Sequence, residues 1–375
     1  MSETDISEKI MIVLWGRAGG RCQYEGCNKD LTVDTLTKRL RNRGYIAHIY
    51  ADKKGGPRWD AKNSPKLKKD ISNLMLLCDD CHRRIDKDEV DSHPADRLIE
   101  MKKNNEQWVK KMMDMSKKPE TYPIKYYAKI GKDKIYIEDN EVTDAIIAEN
   151  YCPALTTPID ISIKGSEIYD NEENFWEIEK NNLTRKISQL YDRYENLNNI
   201  SICALAPIPL LVYLGTLLDD KKNTRVYQKR RDKESWCWDN TKSKEMVAFK
   251  IIPPSNNDGS NIAINISLSA NIQNDIIQKT LGEDVSIWTF TIENPTPNFV
   301  TNRNILKEFN KNFIYLLNEI KKQCKSDGDI SIFPAVPVSI AIEIGRARMA
   351  KADLNFILYD MNRDNGGFIK TFSIS

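Results

Sequence analysis

Four cysteines in two tight pairs, Cys22/Cys27 and Cys78/Cys81, constrain this chain more than any other feature. A Cys-x-x-x-x-Cys pair and a Cys-x-x-Cys pair separated by a variable insert have the spacing of a tetrahedral four-thiolate zinc site, closed and structural. Four soft thiolates with no open position favour Zn2+ over harder cations. The alternative is four unconnected buried thiols, which the pairing disfavours. Compartment matters, because an oxidising one would turn such pairs into disulfides. The amino terminus, MSETDISEKIMIVLW, begins acidic and lacks a small-residue cleavage site after an apolar core, so it does not read as a signal peptide. No apolar run approaches the roughly 18–20 residues that span a bilayer. A cytoplasmic protein with no membrane partner is expected. Zinc would knit two loops too poor in apolar residues to fold alone.

At 375 residues the chain exceeds one ordinary core, so two domains are expected. Its 40% hydrophobic content with mixed charge describes a globular chain, not a disordered one. The net charge of +2 hides an uneven distribution: Lys38 to Lys69 carries eleven Lys/Arg against only Asp52 and Asp60. Alone, such a run is a solvated face. Lying between the two cysteine pairs, it points to a phosphate-facing surface.

Helical spacing over residues 5–18 (Ile6, Ile10, Val13, Leu14) stops at the Gly-rich AGGRC. A second helix is expected after Ser92 as N-cap, with Pro94 in its first turn and Leu98, Met101, Trp108 and Met112 as its apolar stripe. The polar SKKPETYP (116–123) holds two prolines and marks the boundary, giving domains 1–118 and 119–375. Beyond it, strand-like ISICALAP and SIWTFTIE alternate with helix-like PLLVYLGTLLDD and NILKEFNKNFIYLLNEIKKQ, which implies an α/β domain. SICALAPIPLLVYLG (201–215) and SIFPAVPVSIAIEIG (331–345) echo each other as strand, proline-punctuated turn and helix. In α/β folds such turns line the ligand crevice.

All three histidines precede the boundary: His48 in YIAHIYA, His82 directly after Cys81, and His93, which reads as a structural residue at a helix start. The order His48, Asn73, His82 wraps around Cys-x-x-Cys. With AHI (47–49), GG (55–56), NLMLLCDDCH (73–82) and the following RRID, it closely resembles the HNH family of ββα-metal nucleases over roughly residues 15–115. The resemblance implies an α+β zinc-bearing nuclease domain with His48 as general base and Asn73 holding the loop that orients it. It further implies His82 as a ligand of a catalytic divalent cation, Mg2+ or another, with Asp86 as a possible second ligand. Many members carry His or Asp immediately before the base histidine as a metal ligand; here that place holds Ala47. The residue types suit phosphodiester hydrolysis, which needs a base to activate water and a cation to stabilise developing charge.

The segment ALAPIPLLVYLGTLLDDKKNTRVYQKRRDKESWCWD (204–239), with IENPTPNFV and FPAVPVSIAIEIGRARMAKADLNFILYD, resembles the SAVED domain, a sensor of CBASS anti-phage effectors, over about 125–375. The resemblance implies an α/β fold of two CARF-like (Rossmann-like) halves that binds a cyclic oligonucleotide, matching the internal echo. A cyclic di- or trinucleotide presents flat bases and phosphates, so its receptor wants aromatic platforms and guanidinium donors. Tyr227, Gln228, Arg230, Arg231, Trp236 and Trp238, with Pro209 and Pro337 at the echoed turns, are the candidate ligand residues. Cys152, Cys203, Cys237 and Cys324 read as ordinary buried thiols.

Together these readings describe a cyclic-oligonucleotide-activated, metal-dependent endonuclease acting on double-stranded DNA in anti-phage defence, assembling into a homo-oligomer on ligand binding. Two other classes stay open: a modification-dependent HNH restriction enzyme whose C-terminal domain reads DNA, and a catalytically silent zinc DNA-binding protein.

Overall fold

The computed structural model describes residues 5–34, 36–131, 135–163, 168–172, 174–194, 197–218, 223–230, 232, 234–242, 244–255, 261–323, 329–349, 353–362 and 367–375. The chain divides into two units, Met1–Lys117 and Lys118–Ser375.

In the first unit, α1 (Glu8–Arg17) ends where Gly19 and Gly20 take left-handed φ of 60° and 68°. Strands β1 (Tyr45–His48) and β2 (Leu74–Leu77) pair antiparallel, from Tyr45 opposite Leu77 to His48 opposite Leu74, and α2 (Asn63–Leu67) lies between them in sequence. The unbroken LMLL of β2 is buried at all four positions, as expected of a strand covered on both faces. Helix α3 (Asp79–Arg83) starts directly at Cys78 and passes into a π-turn over Arg84–Asp88. Leu14, Leu74, Leu76, Ile85 and Leu98 share the core with Cys22, Cys78 and Cys81. Ser92 does not cap the next helix. It ends a 3₁₀ turn, Val90–Ser92, and Pro94 takes the N-cap place of α4 (Ala95–Met115). His93 is buried, with Nε2 2.9 Å from the Tyr24 hydroxyl and Nδ1 2.7 Å from the Glu89 carbonyl, a structural role.

The second unit holds two sheets. The first is built on β3 (Glu120–Tyr127), followed by α5 (Asp139–Ala148), β4 (Cys152–Pro153), β5 (Ile159–Asp160) and α6 (Phe175–Arg193). It continues with β6 (Asn199–Leu205), α7 (Ile208–Leu217) and β7 (Asn223–Val226). Its order is β4-β3-β6-β7, with β5 also on β3, and every pairing is parallel. The second comprises β8 (Phe249–Ile252), β9 (Asn261–Ser267), α8 (Asn274–Leu281), β10 (Val285–Ile292), α9 (Arg303–Gln323), β11 (Asp329–Ala335), α10 (Val338–Ala347), β12 (Asn355–Asn362) and β13 (Gly367–Ile374). Its order is β13-β12-β11-β9-β10-β8, parallel at the centre with antiparallel edges β13 and β8.

One core joins the inner faces: Ile124, Ile202, Ile264 and Ile332 from the two sheets pack with residues of α6, α7, α9 and α10. Helix α5 covers the other face of the first sheet through Val142, Ala145 and Ile146, and α8 covers that of the second through Ile277. The echoed segments occupy equivalent places, β6 into α7 and β11 into α10, with Pro207 and Pro337 at the two N-caps. Among the described residues, no helix is long and apolar enough to cross a membrane.

Candidate functional site

The four thiols converge. Their sulfurs all lie within 4.8 Å of one another, and Cys27 Sγ stands 3.8 Å from Cys78 Sγ. That spacing is far from an S–S bond of about 2.05 Å. It equals the edge of a tetrahedron with Zn–S of about 2.3 Å, roughly 3.8 Å. Burial pushes the Cys22 thiol up to about 12, against the backbone hydrogen bonds from Cys78 and Tyr24, and burial also pushes Cys81 far up. Cys27 goes the other way: burial opposes it, but hydrogen bonds from the Lys29 backbone and the neighbouring thiols hold it below its ordinary value. Four converging sulfurs at tetrahedral spacing are a donor set that fits a zinc ion.

Beside it, the β1–β2 pair and α3 bring the nuclease candidates into one arrangement. His48 ends β1 and is buried; its Nε2 lies 2.9 Å from the Lys68 carbonyl. A carbonyl can only accept, so Nε2 carries the hydrogen and Nδ1 is left as the basic nitrogen. Asn73 is 2% exposed and clasps the backbone just past His48: its Oδ1 accepts from Tyr50 N at 2.7 Å and its Nδ2 donates to Tyr50 O at 3.0 Å. His82 on α3 stacks on Tyr45, ring centroids 5.2 Å apart, and its Nε2 lies 3.1 Å from Asp86 Oδ2. His82 and Asp86 thus offer one nitrogen and one oxygen side by side. Among the described residues, the four-cysteine cluster alone groups three or more metal-ligating side chains.

Sequence reasoning missed Arg58. Its guanidinium donates to the Ile49 carbonyl at 2.8 Å, the Ile85 carbonyl at 2.6 Å and Asp86 Oδ1 at 2.5 Å. It ties the chain after His48 to the turn that carries Asp86. Burial raises the Asp86 carboxyl, but hydrogen bonds from His82 and Arg58 outweigh it and hold the group below its ordinary range. Within the basic run every Lys/Arg except Arg58 is exposed.

In the second unit the expected aromatic platforms are covered. Tyr227 and Trp236 are 0% and 1% exposed, packed under α5 with Cys203, so neither offers a free ring face. Arg230 is buried and paired with Asp232 at 2.5 Å and Asp239 at 2.8 Å. Arg231 lies outside the described residues, as does Cys324. Trp238 is half-buried and, with Tyr227, lies near the Arg303 guanidinium at 5.5 and 5.2 Å. Arg303 in turn binds Glu149 through two hydrogen bonds of 2.8 and 2.6 Å, a link between the halves that the sequence did not disclose. Gln228 makes another: its Oε1 accepts from Ser339 N at 3.2 Å and Ser339 Oγ at 2.7 Å, at the start of α10. Pro337 is buried at the N-cap of α10, whereas Pro209 is buried inside the first turn of α7, just past the equivalent Pro207. Cys203 is buried and Cys152 and Cys237 are half-buried.

Residues 181–374 match the SAVED family, described as the SMODS-associated and fused to various effectors sensor domain. No curated protein matches the chain. Among solved structures, it is similar to the Acinetobacter baumannii Cap4 SAVED/CARF-domain containing receptor with the cyclic trinucleotide 3'3'3'-cAAA. That likeness has 13% identity and a TM-score of 0.41 over 84% of this chain and 67% of that one. It is also similar to the Moraxella osloensis Cap4 receptor, with 12% identity and a TM-score of 0.40 over 84% of this chain and 66% of that one.

Proposed function

The chain belongs to the SAVED family of sensor domains fused to effectors, and from that premise we propose that it is a cyclic-oligonucleotide-activated, metal-dependent DNA endonuclease of CBASS anti-phage defence. The second unit is the sensor and the first is the HNH-type effector. The observation that carries the nuclease half is the Asn73 clasp on both polar groups of Tyr50, which fixes the chain beside His48 while His82 projects from the adjoining helix.

His48 would take the proton of the attacking water at Nδ1, its ring held by the Nε2–H bond to the Lys68 carbonyl. Asn73 is a positioning residue acting through Tyr50. His82 and Asp86 would hold a divalent cation, which supplies charge stabilisation at the phosphate and leaving oxygen when bound. With Ala47 before His48, the protein offers it few ligands, and Arg58 keeps Asp86 aimed at His82. The exposed cations between Lys38 and Lys69 suit a sequence-independent grip on the DNA backbone. Cys22, Cys27, Cys78 and Cys81 would hold a zinc ion, and Cys78 stands at the N-cap of α3, the helix that carries His82.

The test is plasmid degradation in Mg2+ across a panel of cyclic di- and trinucleotides. Cleavage dependent on one of them is expected. Cleavage of modified DNA without any nucleotide would favour a restriction enzyme, and no nicking under any condition would favour a silent DNA-binding protein.

A further inference from the structure

At the carboxyl ends of β3 and β5, in the second unit, lies a cavity of about 400 Å³. This is within the roughly 300–1,000 Å³ of small-molecule sites. It stands where open parallel α/β sheets take their ligands. It is lined by Lys125, Tyr127, Tyr136, Asp139 and Asp160, all outside the matched residues 181–374, with Thr157 and Pro158 completing the wall. β3 nevertheless pairs directly with β6, whose turn into α7 lies inside that match.

Its chemistry is unusually mixed for one wall. The Lys125 ammonium is 4% exposed and bonds the Ile137 carbonyl at 2.9 Å and Asp139 Oδ1 at 2.7 Å. Burial opposes its charge, but Asp139 outweighs burial and holds the lysine protonated. The ammonium also lies 4.7 Å from the centroid of the Tyr136 ring, so its positive charge faces the same rim at which a ligand acceptor would arrive. Asp160, at the end of β5, accepts from Ser162 N at 3.0 Å and also meets the Tyr127 hydroxyl, and the lone pairs of a carboxylate still have room for further donors. Tyr127 and Tyr136 meet edge to face with centroids 5.4 Å apart, and Tyr136 is 56% exposed at the rim. An acceptor-only carboxylate, a donor-only ammonium and an aromatic rim together describe a reader of a flat heterocycle. Guanine has two adjacent N–H donors beside a carbonyl acceptor, and so matches a carboxylate next to an ammonium. Adenine has only one exocyclic amino group and cannot pair bidentately with a carboxylate.

We propose that this cavity is the base-reading subsite of the sensor and takes a guanine of the activating cyclic oligonucleotide. Its N1–H and 2-amino groups donate to Asp160, its O6 accepts from Lys125, and its ring lies against Tyr136. This rests on the sensor reading above.

Calorimetry on the full chain tests it, with cyclic di-AMP, cyclic GMP–AMP, cyclic tri-AMP and a cyclic trinucleotide carrying one guanine, each in every linkage isomer. An inosine-for-guanine version of the tightest ligand completes the set. A guanine-bearing ring should bind about tenfold tighter or more than the all-adenine ring of its size. Inosine, lacking the 2-amino group, should lose most of that advantage in the parent protein but not in Asp160→Asn, where the preference itself collapses. Tyr136→Ala, at an exposed position that tolerates truncation, should weaken the guanine ring severalfold. Equal affinity for both rings, or an unchanged preference in Asp160→Asn, would overturn the assignment. If no ring binds at all, the sensor reading falls and this assignment with it.

Discussion

Gly215 of α7 and Gly345 of α10 meet backbone to backbone. A Cβ on Gly215 would stand 2.1 Å from the Ile342 carbonyl oxygen and 3.0 Å from Gly345 Cα. A Cβ on Gly345 would stand 1.9 Å from the Val212 carbonyl oxygen and 2.9 Å from Gly215 Cα. The two contacts are reciprocal, each glycine facing the carbonyl three residues before its partner. The echoed halves are therefore keyed to each other at one crossing, near a local twofold axis.

Gly215→Ala should destabilise the second unit, because the obstacle is a carbonyl oxygen that cannot turn away as a side chain could. A cost of about 3 kcal/mol or more is expected for overpacking of this kind. That lowers Tm by roughly 6–12 °C in a domain of this size. Scanning calorimetry checks it; a Tm within a degree of the parent would mean the helices can part at no cost.

The zinc assignment predicts about one equivalent of metal per chain by elemental analysis. Cys78→Ser should unfold the first unit while the second keeps its melting transition, since the sulfur cluster lies in the core with Leu74, Leu76 and Ile85. A stable protein purified free of metal would refute it.

His48→Ala should abolish cleavage without altering zinc content or ligand affinity, as only the water-activating nitrogen is lost. Asn73→Ala should also cut activity, by a smaller factor, and should cost about 1–3 kcal/mol of stability because two backbone groups of Tyr50 lose their partner. Parental cleavage rates for His48→Ala in Mg2+ would remove it as the base.

What could be read from sequence was what sits at short range. Each cysteine pair is close in sequence and the four sulfurs converge, and the echo disclosed paired halves because strand, proline and glycine recur together. Arg58 was illegible: in a basic run it looks like its neighbours, and only folding brings the Ile49 and Ile85 carbonyls to one guanidinium. Tyr227 and Trp236 misled for the opposite reason. Aromatic residues beside arginines suggest stacking surfaces, but α5 lays Val142 and Ile146 over them. The Lys125 cavity gathers residues from separate elements, with no motif in any one of them.

Glu179 on α6 is 3% exposed, with the Tyr126 hydroxyl donating to it at 3.0 Å. Burial raises it to about 7 from its ordinary 4.5, with the Tyr126 bond opposing. A raised folded value means the stabilising contribution is whole below about 4.5 and is lost as pH climbs through about 7. Parent and Glu179→Gln should therefore melt alike at pH 5, with the Gln variant ahead at pH 8 by about 2–3 kcal/mol. Identical pH profiles for the two would show that the carboxyl is solvated in solution.

A ligand shifts an equilibrium only through different affinity for its two states, so the sensor must have a second arrangement that the cyclic nucleotide prefers. The Gly215–Gly345 crossing offers a fixed pivot, while the links around it, Arg303 to Glu149 and Gln228 to Ser339, are polar and can be exchanged. Rotation about that pivot would change the outer face of both halves, the surface a second copy of the chain would meet. One nuclease centre cuts one strand, so a double-strand break needs two brought together. Light scattering should show a mass increase on adding the activating nucleotide, and specific activity should rise with protein concentration. Arg303→Met, which removes one link without touching the nuclease residues, should lower the ligand concentration needed for half-maximal association. A fully active, ligand-bound monomer would refute association as the switch while leaving the roles proposed for His48, Asn73 and His82 untouched.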